Sequence, residues 1–132
     1  MKYLIDTDIA SYFIRGVPAV TKRLIAEYPN WVISAISYHE LLQGMVLAKN
    51  TSIEPAIAAF LEEVKVAPFD SADALESGRL SAILKKAGTP IGTLDTLIAG
   101  HALSLKLTLV TNNVKHFSRV PELRIANWTA NK

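Results

Sequence analysis

Short apolar runs alternating with helix-length segments predict an α/β fold, a central, mostly parallel sheet of four to five strands flanked by helices. Three observations carry this expectation. Apolar runs recur at Lys2–Asp6, Trp31–Ser34 and Leu107–Thr111. The segments between them are long enough for helices and read as amphipathic. Breaks fall at Gly16 and Pro18, at Pro29–Asn30, and across Gly88, Pro90 and Gly92. Right-handed crossovers in such a fold place helices on both faces, and functional sites lie at the carboxyl ends of the strands.

The elements follow in order. Lys2–Asp6 reads as a short buried strand and Thr7–Ile14 as a helix closed by Gly16 and Pro18. Pro18–Tyr28 is a second helix, stopped by Pro29–Asn30. Trp31–Ser34 is a strand, followed by a helix over Ser37–Lys49, a turn at Asn50–Ser52 and a helix over Ile53–Val64. Val64–Phe69 carries Pro68, which cannot donate to a ladder, so it is expected as a weak or edge strand. Ser71–Ala87 is a longer helix and Ala87–Gly92 a loop. Thr93–Leu105 is a helix, Leu107–Thr111 a strand and Arg124–Trp128 a last short strand.

At 132 residues the chain is expected to be one domain, 1–132. It has no cysteine, hence no disulfide and no thiolate metal site, which fits a cytoplasmic location. No secretion signal or membrane-spanning run is apparent. The net charge of +2, from 14 Lys and Arg against 12 Asp and Glu, permits a nucleic-acid partner without demanding one. A hydrophobic content of 50% is high for a soluble domain and hints at a partner interface.

The acids pose the functional question. Asp6 and Asp8 end the first apolar run in an Asp-x-Asp pattern, which suits a covalent phosphate acceptor, a divalent-metal ligand or a helix cap. Asp95 lies on an apolar stripe with Ile91, Ile98, Ala99 and Ala102, costly to bury unpaired, although in a first helical turn it also favours the dipole, with Thr93 as cap. Glu40 shares a face with Ile36, Gly44 and Leu47, while Tyr38, Leu41, Leu42 and Met45 form the expected core face. Taken alone it reads as a surface glutamate. If strands one, two and four are neighbours, Asp6, Glu40, Asp95 and Asn113 converge at one sheet edge. Like charges at ~4 Å repel by about 4 kcal/mol at an effective dielectric of 20, so pKa values rise or a cation intervenes. Oxygen-only ligands favour Mg²⁺ or Mn²⁺.

Four stretches together resemble a PIN-domain ribonuclease, of the VapC toxin group: "YLIDTDI", "ISAISYHELLQG", "GTPIGTLDTLIAGHAL" and "LTLVTNNVKHFSRVPELRIANW". The resemblance covers nearly the whole chain and implies a three-layer PIN-like fold. It places the metal-binding acids at Asp6, Glu40 and Asp95 and supporting groups at Thr111, Asn112 and Asn113. It also implies Mg²⁺- or Mn²⁺-dependent endonucleolytic cleavage of RNA, tRNA among the candidates, with a homodimer and a VapB-like antitoxin that blocks the site. Two positions depart from the family pattern. Many PIN domains carry aspartate where this chain has Asn113, which weakens a second metal position. Asp8 stands where asparagine is frequent and is expected to cap the helix.

The mechanism expected from this reading has Asp6 and Asp95 on one metal and Glu40 supporting it or acting on the attacking water. Asn113 and Thr111 complete the site, and 5′-phosphate and 3′-hydroxyl ends are left. Thr7 is expected to orient a water, to cap the helix, or both. Arg15, Lys22, Arg23, Lys115, Arg119 and Arg124 are candidates for a phosphate-binding rim, with Arg15, Lys115 and Arg119 foremost. His39 and His101 read as packing or surface residues, His116 as RNA-facing, and Trp31 and Trp128 as core or strand-edge residues. Two other readings compete. One is a haloacid-dehalogenase-like phosphatase using Asp6 and Asp8, for which no downstream acidic pair appears. The other is a non-catalytic PIN-like binding module.

Overall fold

A computed structural model describes residues 1–48 and 52–129. Its elements run β1 (Tyr3–Ile5), α1 (Thr7–Ile14), α2 (Pro18–Glu27), β2 (Trp31–Ser34), α3 (Ala35–Leu47), α4 (Glu54–Glu63), β3 (Val66–Ala67), α5 (Ser71–Lys86), α6 (Thr93–Leu105), β4 (Thr108–Val110), α7 (Val114–Phe117) and β5 (Ile125–Ala126). The last residue of the helix expected to Lys49, and Asn50 and Thr51 of the expected turn, lie outside the described residues.

The five strands form one all-parallel sheet in the order β3-β2-β1-β4-β5. Strand β1 is central, with Leu4 opposite Val32 on one side and Leu109 on the other, and Ile5 opposite Ile33 and Val110. Successive strand residues point to opposite faces, so the register sorts them into two cores. Leu4, Val32 and Leu109 pack with Leu80, Leu84, Ile98 and Phe117 under α5, α6 and α7. Ile5, Ile33 and Val110 pack with Ile9, Val20, Leu24 and Leu61 under α1, α2 and α4. The result is three layers, helix–sheet–helix, as expected. Burial on both faces explains why these strands read as unbroken apolar runs.

The expected β3 is a two-residue edge strand ending before Pro68, which fits a residue without a donor. Three local expectations are corrected. Helix α3 starts at Ala35 because the Ser34 hydroxyl accepts from the Ile36 N–H at 3.0 Å and so caps it early. Thr93 is not the cap of α6; Gly92 is, at φ 96°, a left-handed conformation that glycine adopts without strain. Helix α7 was not anticipated, four residues being too few to show a period. On α3, Leu41 is buried but Leu42 is 41% exposed, so the expected core face is narrower than drawn.

Helices α5 and α6 touch backbone to backbone. A Cβ on Gly100 would stand 2.5 Å from the Ser77 Cα. This crossing fixes how far α6, and Asp95 at its start, stands from the sheet.

Candidate active site

Asp6 follows β1 directly and is the N-cap of α1. Its carboxylate accepts the Ile9 N–H at 2.9 Å. It also accepts from the Thr111 hydroxyl. Thr111 sits just past β4, the strand beside β1, and its hydroxyl accepts the Asn113 N–H at 3.0 Å, which leaves its own proton for Asp6. The capping role and the site role therefore coexist in one side chain. Burial, with Asp6 only 5% exposed, pushes its pKa up to about 7 from an ordinary 3.8, against the two hydrogen bonds and with the charges of Asp8 and Asp95 adding to the rise.

Asp95 is half-buried in the first turn of α6. Burial raises its pKa, the neighbouring His116 opposes the rise, and Asp8 reinforces it. Asp6, Asp8 and Asp95 thus sense one another across the carboxyl end of the sheet. Asp8 is exposed in the first turn of α1 and is not the cap, because Asp6 occupies that position.

Glu40 is brought to the same end through Thr7. Thr7 Oγ1 lies 2.5 Å from Glu40 Oε1 and 2.9 Å from Ser37 Oγ. A threonine hydroxyl has one proton, a carboxylate can only accept, and so Ser37 donates to Thr7 while Thr7 donates to Glu40. Thr7, Asp8, Arg15 and Glu40 line a cleft of about 240 Å³ between α1, α3 and α4. Among the described residues no three acidic or histidine side chains close into a ready-made ligand set, so the carboxylates are neighbours rather than a collapsed cluster.

The other expected residues divide. Asn113 is exposed at the start of α7 and its side chain makes no cap there. Asn112 is turned toward α1, its amide donating to the Tyr12 hydroxyl at 2.8 Å. Arg15 and Lys115 are exposed, and Arg119 donates to the Pro90 carbonyl at 3.2 Å in the loop before α6. Arg124 and Arg23 do not join a rim with these. Arg124 donates to the Lys106 carbonyl, beyond the far end of α6. The Arg23 guanidinium stands 4.9 Å over Trp128, whose ring packs on Tyr3 at the amino end of β1.

Of the histidines, His39 is exposed and His101 packs in the interior, both as expected, while the expectation for His116 needs refinement. His101 is fully buried. Its Nδ1 lies 2.8 Å from the Ser34 hydroxyl, which accepts from the Ile36 N–H. Its Nε2 faces Asp73 at 3.5 Å, too long for a firm hydrogen bond. Burial holds this imidazole below its usual pKa, hence neutral. His116 is not simply RNA-facing: its Nε2 lies 3.1 Å from Asp95 Oδ2 and 2.7 Å from the Ile91 carbonyl. Ser37 and the contact of His116 with Asp95 are the site features that the sequence did not reveal. Their only signal was spacing, Ser37 three residues before Glu40 and His116 three after Asn113.

The donor set suits a hard cation. The acids at this end are carboxylates assisted by hydroxyls, and no lysine or arginine is ion-paired with Asp6, Asp8, Glu40 or Asp95 among the described residues. A nearly buried carboxylate with raised pKa and acidic neighbours is the arrangement that a divalent ion would relieve.

Comparison with known proteins agrees with this architecture. Residues 3–123 match the PIN domain family, and the chain belongs to that family. Within it, the chain is 38% identical to ribonuclease VapC1 of Haemophilus influenzae strain R2866, covering 98% of this chain and 99% of the relative. It is 32% identical to the tRNA(fMet)-specific endonuclease VapC of Salmonella typhimurium strain LT2, covering 97% and 98%. Its fold is similar to a chain in the crystal structure of VapBC2 from Rickettsia felis bound to a DNA fragment from their promoter. The TM-score is 0.88 at 33% identity, over 97% of this chain and 99% of that one.

Proposed function

We propose that this chain is a metal-dependent endoribonuclease and the toxin of a toxin–antitoxin pair, acting in the cytoplasm as a single PIN domain. The observation that carries the reading is the Asp6 carboxylate, buried beside Asp8 and Asp95 with no lysine or arginine paired to any of the three among the described residues. Asp6 and Asp95 would hold Mg²⁺ or Mn²⁺, with Glu40 close by through Thr7. When bound, such an ion supplies charge neutralisation at a phosphodiester and a more acidic water. The chain's own residues do the rest. Thr111 and the Ile9 N–H fix the Asp6 carboxylate. Thr7 fixes one oxygen of Glu40 and leaves the other to orient or deprotonate the attacking water. Asn113 offers a neutral amide oxygen at the exposed rim, and Arg15, Lys115 and Arg119 are placed to meet RNA phosphates.

The names of the relatives support RNA as substrate, and that of the Salmonella protein makes tRNA the first to try. The phosphatase alternative is disfavoured, since Asp8, which it needs as acid/base, is turned out to solvent.

The same reading supplies a place for an antitoxin. Phe13, Ile14, Tyr28, Trp31 and Phe60 line an apolar groove of about 500 Å³. It shares Ile14 with the cleft that reaches Asp8 and Glu40. A VapB-like segment seated in the groove would run on toward the acids and block them. Exposed Val46, Leu47, Leu75 and Ile83 offer apolar surface for the homodimer expected from the sequence.

The test is cleavage of total RNA and of a tRNA pool by the purified chain with Mn²⁺, with Mg²⁺ and with EDTA. An Asp95→Asn variant purified identically is the control. Metal-dependent cleavage, reduced about a hundredfold or more in the variant, is expected. Cleavage that persists in EDTA or yields 2′,3′-cyclic phosphates would sink the metal mechanism.

A further inference from the structure

We propose that His116 is a positioning residue for Asp95, setting the carboxylate in the orientation from which it takes a divalent cation. This rests on the metal-binding reading above. The His116 Nε2 lies 2.7 Å from the Ile91 carbonyl oxygen, and a carbonyl can only accept. Nε2 therefore carries the ring proton. The same nitrogen stands 3.1 Å from Asp95 Oδ2, so one N–H is shared between the backbone of the loop and the carboxylate.

The ring is itself held. It meets Phe117 edge to face, with centroids 5.6 Å apart, and Phe117 is 1% exposed. Ile91, which supplies the carbonyl, is 4% exposed. His116 thus joins two fixed points and holds its Nε2 against Asp95 from a rigid base.

The position of Asp95 on its helix makes that direction consequential. It is the third residue of α6, after a Gly92 cap that has no side chain. An acid at this position commonly reaches back to the cap's backbone N–H. Here the lateral donor is His116, engaging one oxygen and leaving the lone pairs of the other for a cation. Groups hydrogen-bonded to a ligating carboxylate fix its aim, and their loss typically weakens metal binding 10–100-fold. The same contact ties α7, and Asn113 before it, to the start of α6.

The experiment is Mn²⁺ titration calorimetry on the full chain and on His116→Ala, His116→Gln, His116→Asn and Asp95→Asn, with a thermal midpoint for each. His116→Ala is expected to bind Mn²⁺ roughly 10–100-fold more weakly. Glutamine, whose amide nitrogen reaches the place of Nε2, is expected to restore most of the affinity, and the shorter asparagine is not. Unchanged or tighter binding by His116→Ala would overturn the proposal. So would equal weakening in the alanine and glutamine variants that merely follows their thermal midpoints. If the wild type shows no Mn²⁺ binding that Asp95→Asn removes, the metal reading falls and this inference with it. If Asp95→Asn abolishes binding while His116→Ala does not alter it, this inference alone falls.

Discussion

Asp6 sets a destabilising charge against a proposed function. Its carboxyl ionises near 3.8 when exposed and near 7 in the fold. Between those values the unfolded chain has lost a proton that the folded chain keeps. Stability of the metal-free protein is therefore predicted to fall as pH rises from about 4 to about 7 and to level off above. The cost is of order 4 kcal/mol. Asp6→Asn keeps one acceptor oxygen for the Ile9 N–H and removes the charge. In EDTA at pH 8 the variant should unfold at higher urea than wild type, and its stability should lose most of that pH slope. Added Mn²⁺ should stabilise the wild type and leave the variant unmoved. A wild type whose metal-free stability rises across this window would contradict the assignment of desolvation as the cause.

The Thr7–Glu40 pair is a second residue-scale test. Thr7→Val is nearly isosteric and removes the hydroxyl that fixes Glu40. RNA cleavage at saturating substrate is expected to drop about tenfold, with the melting temperature little changed, since the pair is only part-buried. A loss of stability that matches the loss of activity would make Thr7 a structural residue only.

At the scale of elements, the strands were legible because their chemistry is local. Leu4 and Ile5, Val32 and Ile33, and Leu109 and Val110 are aliphatic pairs buried on both faces of a parallel sheet, and such pairs look alike in sequence and structure. The candidate site was legible where an acid follows a strand directly, as at Asp6, or opens a helix after a glycine, as at Asp95. It was not legible where a partner comes from far along the chain. Glu40 meets Thr7 across 33 residues and His101 meets Ser34 across 67, and neither pairing leaves a periodic trace. Asp8 as cap and Arg124 as rim failed for the same reason: type and spacing do not say which neighbour takes the bond. The α5–α6 crossing was equally hidden. Gly100→Ala would drive its methyl into the Ser77 backbone and is predicted to cost about 3 kcal/mol or more in urea unfolding. A neutral result would mean that α6 can shift outward, and Asp95 with it.

At the scale of the whole molecule, the sheet divides the labour. One face, under α5, α6 and α7, fixes Asp95 and His116; the other, under α1 to α4, fixes Glu40 and carries the apolar groove. A partner in that groove would reach the acids from the α1 side, because Ile14 belongs both to the groove and to the cleft at Glu40. Tyr28 stands 72% exposed on the groove wall and does not line the cleft at Glu40. A charge there should meet the apolar segment of an antitoxin without entering the cleft. Tyr28→Asp is therefore predicted to weaken the toxin–antitoxin complex by at least about tenfold, the cost of one desolvated, unpaired carboxylate in an interface core. Titration of RNA cleavage with the cognate antitoxin would show it as a rightward shift of the inhibition curve. A partner that inhibited the variant at wild-type concentrations would have to approach Asp8 and Glu40 by another route, and the groove would then serve something other than the antitoxin.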